Sequence, residues 1–297
     1  MSATRAIPMP ATSALRALLS LTKPDVTFLV VLTTGAGVYL ASPAAMDPWL
    51  FFHAVFGTTL ISAGTSALNH YYERDTDSQM RRTAGRPLPA GVIEPLTALL
   101  IGIFLALAGA IYLSTLVNLL AALLGVFTCL AYLGLYTPLK KRTPLATLVG
   151  AFPGAVPPVI GWVAVRGALS IEALLLYAIL FAWQFPHFLA IAWMYREDYA
   201  RAGIRMLPVV DKSGDSTFRQ IAAWSAALVP ISVFPAGMGM AGTRYLFFAL
   251  VLSLALLVVS LWSARTRSNH SAKWLMHATV AYLPLLLGVM VLDKLAP

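Results

Sequence analysis

Long apolar runs, separated by short polar breaks, divide the chain into nine pieces of about 17 to 24 residues, each long enough to cross a bilayer's hydrocarbon core as a helix. The predicted spans are 25–43, 49–70, 93–114, 116–137, 145–165, 169–194, 219–237, 243–263 and 274–293. Small residues recur inside them at Gly35 and Gly37, Gly102 and Gly109, and Gly150, Gly154 and Gly161, where they allow close helix approach. The fifth span holds Pro153, Pro157 and Pro158, so a kinked or partly unwound helix is expected there. Irregular backbone at membrane depth persists only where it is buried or lines a cavity, which makes this span a candidate cavity wall. No internal repeat is evident. The fold class expected is all-α, a polytopic membrane protein of nine transmembrane helices, with a tail at 1–24 and one transmembrane domain over 25–297.

Composition agrees with the pattern. Of 297 residues, 59% are hydrophobic and 11% charged, and the mean hydropathy is +0.78. A soluble domain carries about a quarter charged residues, so that class is excluded. The lone Cys129 lies in an apolar run and offers no disulfide framework.

The net charge of +9 resides in short loops, a placement that argues against nucleic acid and for membrane topology. Of the 21 Lys and Arg residues, all but Arg166, Arg244 and Lys294 fall in the tail or in alternate loops. That bias sets the amino terminus and the basic loops on the cytoplasmic side and the carboxyl terminus outside. Prolines at Pro8 and Pro10 interrupt the tail, and no cleavage-like junction follows, so a tail rather than a signal peptide is expected.

The segment from Ala67 to Pro89 departs from all of this. Asn69, Glu73 and Asp77 recur every four residues and share one face of a helix. Arg74, Arg81, Arg82 and Arg86 crowd the same stretch. Carboxylates with an amide oxygen suit Mg²⁺, and guanidinium groups suit phosphate oxygens. A second polar stripe lies in the sixth span, where Gln184, His187, Ile191, Met194 or Tyr195, and Asp198 fall at helical spacing. Polar groups inside a membrane are costly and face cavities. The two segments reach one membrane side and are placed to bracket a diphosphate through metal. Asn69 to Asp77 spans about 12 Å of helix axis, too far for one ion with ligands at about 2 Å, so more than one ion, or bridging to Asp198, fits better. A charged helix end and topogenic charge are the plainer readings of these residues. His70 falls on another face from Asn69, and His53, His270 and His277 read as interfacial.

In order along the chain stand LeuThrLysPro at 21–24, the Asn69–Leu88 segment, TyrThrProLeuLysLysArgThrPro at 136–144 and GlyAlaValProProValIleGlyTrp at 154–162. TrpGlnPheProHisPhe at 183–188, TyrArgGluAspTyr at 195–199 and MetLeuPro at 206–208 follow. Together they resemble the UbiA superfamily of intramembrane prenyltransferases and, within it, the branch that farnesylates haem. The resemblance covers nearly the whole chain from about residue 20. It implies nine helices around a central cavity capped by the second-to-third and sixth-to-seventh loops. It further implies Mg²⁺-dependent transfer of farnesyl from farnesyl diphosphate to a vinyl group of protohaem IX, with water added, giving haem O and diphosphate.

Carried onto this chain, the resemblance makes Asn69, Glu73, Asp77 and Asp198 the metal-holding catalytic set. Arg74, Arg82, Arg86, Lys141, Arg142, Tyr195 and Arg196 become diphosphate-binding, and His187 and Gln184 haem-binding. Glu73 stands where most relatives carry Asp, Ala146 where Asn is expected, and the second acidic motif keeps Asp198 as its clearest carboxylate. The literal pair Asp211 and Asp215 is assigned to a loop or helix start before the seventh span. A bacterial-type inner membrane and a downstream haem-modifying enzyme or oxidase-assembly factor are implied as setting and partner. The alternatives are a UbiA-type enzyme acting on an aromatic such as a hydroxybenzoate, and a nine-span transporter.

Overall fold

A computed structural model describes residues 11–43 and 45–295. Among these residues the regular structure is helical, with one isolated bridge between Ala241 and Lys294. The helices are α1 (Ala11–Leu21), α2 (Pro24–Ala41), α3 (Pro48–Asp77), α4 (Pro95–Leu116) and α5 (Leu119–Ala131). A π-helical turn at Tyr132–Tyr136 joins α5 to the short α6 (Thr137–Leu139). Then come α7 (Ala146–Gly154), α8 (Pro157–Arg166), α9 (Ile171–Met194), α10 (Arg196–Arg201), α11 (Leu207–Val210), α12 (Asp215–Gly237), α13 (Thr243–Thr266) and α14 (Asn269–Leu292). Nine spans of membrane length result among the described residues, α5 with α6 and α7 with α8 each counting as one.

Local chemistry sets the ends. Proline begins α2, α3, α4 and α8, where a missing N–H costs no helical bond. The Asp47 carboxylate accepts from the amides of Trp49 and Leu50 at the start of α3. Ser268 accepts from Ser271 N, so the ninth span begins at Asn269 rather than 274. Asp211 accepts from the amides of Ser216 and Thr217 and starts α12 at Asp215, the loop role expected for this pair. The fifth span breaks between Gly154 and Pro157, as its prolines predict.

Glycine decides how closely two pairs of helices meet. A Cβ on Gly37 would lie 2.1 Å from the Pro158 carbonyl oxygen, and one on Gly161 would lie 2.0 Å from that of Thr34, so α2 and α8 touch backbone to backbone. Gly64 and Gly102 do the same for α3 and α4. The largest core lies among α2, α8, α9, α12, α13 and α14.

Residues 1–10 of the expected tail lie outside the described residues. Its remainder forms α1, which buries Ala17 and Leu21 against Ala67, Leu88, Ile93 and Ala98. Between α1 and α2, Lys23 takes a left-handed conformation with φ 46° and ψ 70°. This costs a non-glycine residue about 1–2 kcal/mol, and it turns the side chain toward α3.

Candidate active site

The last turns of α3 carry Asn69, Glu73 and Asp77 on one face, as their spacing predicts. Asn69 is fully buried and Asp77 nearly so. Each meets a basic side chain from a different segment. Lys23 Nζ donates to Asn69 Oδ1 at 2.5 Å, Lys140 Nζ pairs with Glu73 Oε1 at 2.8 Å, and Arg86 Nη1 pairs with Asp77 Oδ2 at 2.7 Å. Asn69 Nδ2 also donates to Thr137 Oγ1 at 3.5 Å. The tail junction, the α3–α4 loop and the α6–α7 loop thus converge on one helix face.

The lysines differ in how firmly they hold charge. Burial, reinforced by Arg86 and Lys140 and opposed by Glu73 and Asp77, brings Lys23 down to about 7. Burial also works against the Lys140 ammonium, but Glu73, Tyr136 and Tyr132 outweigh it and hold its pKa well above the usual lysine value. Lys140 Nζ lies 4.4 Å from the Tyr136 ring centre and 5.8 Å from that of Tyr132.

The second acidic segment meets the first through its loops. Asp198, in the first turn of α10, accepts from the Arg82 amide at 3.2 Å and pairs with Arg201. The Arg82 guanidinium sits 4.7 Å from the Tyr195 ring centre and reaches Tyr199 Oη at 3.4 Å. Met80 packs with Ala192, Ala202, Ile204 and Met206 beneath this junction, and Arg205 N donates to Lys140 O. A cavity of about 250 Å³ opens here, lined by Tyr72, Glu73, Thr76, Thr137, Lys140, Lys141, Arg142 and Ile204 among others.

Most of the expected metal and diphosphate residues are therefore brought together, and two of them are not. Arg74 sits one helical step, about 100°, around from Glu73; it stacks over Tyr71 and donates to Tyr71 O. Arg196 stacks over Trp193 and donates to Trp193 O and Asn269 Oδ1, which ties it to the start of α14. Lys23 and Lys140 lie in motifs that carry the family resemblance but take no site role from the sequence alone, yet they contact Asn69 and Glu73 directly. The signal available was their position at the ends of predicted spans that close on the Asn69 side.

Among the described residues, no three acidic, histidine or cysteine side chains converge on one point. Glu73, Asp77 and Asp198 each lie against a basic group instead, because the loops bring as many cations as carboxylates. One atom stands outside this balance. Asp77 Oδ1 is buried with no hydrogen-bond partner. A buried carboxylate oxygen left unpaired is costly, and an oxygen-preferring cation satisfies it. The donor set of one amide and three carboxylates fits Mg²⁺ in its chemistry.

The second pair of polar candidates has a different setting. His187 Nδ1 bonds Thr279 Oγ1 at 2.8 Å, and its ring stacks on Trp183, whose Nε1 donates to Thr279 O. Gln184 Nε2 donates to the carbonyls of Ala151 and Leu180. A Cβ on Gly154 would strike Gln184 Oε1 at 2.1 Å, so this side chain fills the bend of the fifth span rather than facing a ligand.

The geometry has counterparts. The UbiA prenyltransferase family matches residues 30–283. The chain belongs to the UbiA prenyltransferase family. It is 49% identical over 290 residues, 94% of its length and 99% of the relative's, to the protoheme IX farnesyltransferase of Solibacter usitatus. A relative from Koribacter versatilis with the same name is 47% identical over 97% of each chain. Among solved structures, a digeranylgeranylglyceryl phosphate synthase superposes with a TM-score of 0.78 at 16% identity, covering 95% of this chain and 98% of that one. A UbiA homologue from Archaeoglobus fulgidus bound to GPP and Mg²⁺ gives 0.63 at 17% identity, covering 93% and 99%. At such identities the structures establish the UbiA fold for this prenyltransferase.

Proposed function

We propose that this UbiA prenyltransferase transfers the farnesyl group of farnesyl diphosphate to a vinyl group of protohaem IX, with addition of water, giving haem O and diphosphate. Near-full-length identity with relatives named for that activity carries the reading. The side chains around Asn69 and Asp198 supply its chemistry. Asn69, Glu73, Asp77 and Asp198 would hold Mg²⁺, as a UbiA homologue bound to GPP and Mg²⁺ suggests. When bound, the ion neutralises diphosphate charge and favours departure of the leaving group.

The chain's own groups do the rest. Lys140, Lys141 and Arg142 line the recess, and Lys23, Arg82 and Arg86 stand beside the acidic side chains, as donors to the diphosphate, whose charge grows as the carbon–oxygen bond breaks. Tyr195 positions Arg82 through its ring. The bond cleaves to an allylic cation, the electron-rich vinyl group attacks it, and the resulting cation next to the porphyrin takes up water with loss of a proton. Tyr72, which lines the recess, is the aromatic ring best placed to stabilise the first cation. Trp183 is buried against His187 and Phe188 lies half exposed on the far side of that ring.

Basic residues cluster at the membrane end that carries the site, which supports a site facing the cytoplasm from a bacterial-type inner membrane. The product would pass to a haem-modifying enzyme or an oxidase-assembly factor. Incubation with farnesyl diphosphate and haem, followed by mass spectrometry of extracted haem, tests the reaction; hydroxyethylfarnesyl haem is expected, and prenylation of a hydroxybenzoate instead would overturn it. Mg²⁺ chelation should stop diphosphate release, and a chelator-insensitive enzyme would remove the metal from the scheme.

His187 is the haem-side candidate, since Thr279 holds one ring nitrogen and the other has no hydrogen-bond partner among the described residues. His187→Ala should weaken haem binding by roughly tenfold, the worth of one good polar contact. An unchanged Soret titration would exclude that role.

A further inference from the structure

A cavity of about 400 Å³ lies at the membrane end opposite the Asn69 site, among the last turns of α2, α8 and α12 and the first turn of α9. Four charged groups stand around it, and two are already satisfied by the protein. Lys294 Nζ donates to the carbonyls of Tyr39 and Ser42, and Asp293 Oδ2 accepts from Tyr245 N. The other two, Arg166 and Glu172, both line the cavity, and neither closes into an ion pair among the described residues. Two further polar atoms in lining residues, Trp162 Nε1 and Ser170 Oγ, are buried without partners. Ser170 provides no side-chain cap for α9, and in that first turn the Glu172 carboxylate lies against its own amide.

An unpaired guanidinium is suited to a phosphate, while a carboxylate in the same cavity repels a simple anion and attracts an ammonium. Leu40, Met238, Met240 and Leu295 supply apolar wall between them. The position at a membrane surface, with one group of each sign, selects a molecule that carries phosphate and amine a few atoms apart on an apolar body. We infer that this cavity binds the headgroup of a zwitterionic aminophospholipid, its phosphate on Arg166 and its ammonium on Glu172. The site is separate from the prenyl-transfer centre and holds whether or not haem is the acceptor.

Native mass spectrometry of the full chain, released from detergent with phosphatidylethanolamine and phosphatidylglycerol of identical acyl chains, tests the assignment. Wild type should retain phosphatidylethanolamine about tenfold over phosphatidylglycerol, the effect of one charge-assisted contact. Glu172→Gln should erase that preference, and Arg166→Gln should reduce retention of both lipids, with prenyl transfer unchanged in each. Equal retention of the two lipids by wild type would overturn the site without any variant, as would a preference that survives Glu172→Gln. Free phosphoethanolamine should compete only weakly; full displacement by it would assign a soluble ligand and remove the lipid.

Discussion

Asp77→Asn should lower prenyl transfer by about a hundredfold to a thousandfold while the protein still inserts and folds, the loss typical when one preorganised charged group is removed from a reacting centre. Asp77 is almost fully buried at the end of α3, with Oδ2 on Arg86 and Oδ1 unpartnered. Asparagine keeps the shape and one oxygen but loses the negative charge, so Arg86 is left without its counterion and the oxygen set loses a carboxylate. Rates measured by diphosphate release, alongside size-exclusion profiles in detergent, separate chemistry from folding. A near-wild-type rate would take Asp77 out of the site. The substitution isolates charge in a way that alanine does not, because alanine would also open a cavity beneath the loop.

Gly161→Val is expected to act on the scaffold with comparable severity. The first carbon of any side chain there would lie 2.0 Å from the Thr34 carbonyl oxygen, and the neighbouring contact on Gly37 is equally close. Neither obstacle is a flexible side-chain end; both are backbone. Accommodating valine requires α2 and α8 to separate, an overpacking cost of about 1–3 kcal/mol or more. A thermal melt in detergent should show a clear fall in midpoint, with Gly161→Ala intermediate. An unchanged melt would mean that α2 and α8 do not meet through their glycines. Since α2 begins directly after Lys23, moving it also disturbs the Asn69 contact, and activity should fall with stability.

The spans were legible because lipid demands a length, and each of the nine predicted ranges falls on a helical span, two of them broken into shorter helices and the second running seven residues further, to Asp77. The ends moved where a polar side chain caught backbone amides, as Asp211 and Ser268 do, since hydropathy carries no record of caps. The Asn69, Glu73 and Asp77 face was legible because spacing by four is enough to align side chains on any helix. What spacing could not supply was pairing across the chain. Lys23 and Lys140 look like ordinary loop charge until 46 and 67 residues of separation close into contacts with Asn69 and Glu73. Arg74 and Arg196 failed for the complementary reason: they stand in the motif segments, but the helix turns them onto Tyr71 and Trp193.

The short helix α1 has two apolar sides. Ala17 and Leu21 are pressed into the protein, while Leu15, Leu18 and Leu19 are 59%, 39% and 53% exposed. A helix of this kind is suited to a bilayer surface, and the left-handed joint at its end carries Lys23, whose ammonium bonds Asn69 on α3. The depth of the lysine that holds Asn69 would thereby be referenced to the lipid–water boundary rather than to the bundle alone. An assay in strongly curved micelles, where that boundary is displaced, measures an enzyme with one of its ligands out of register.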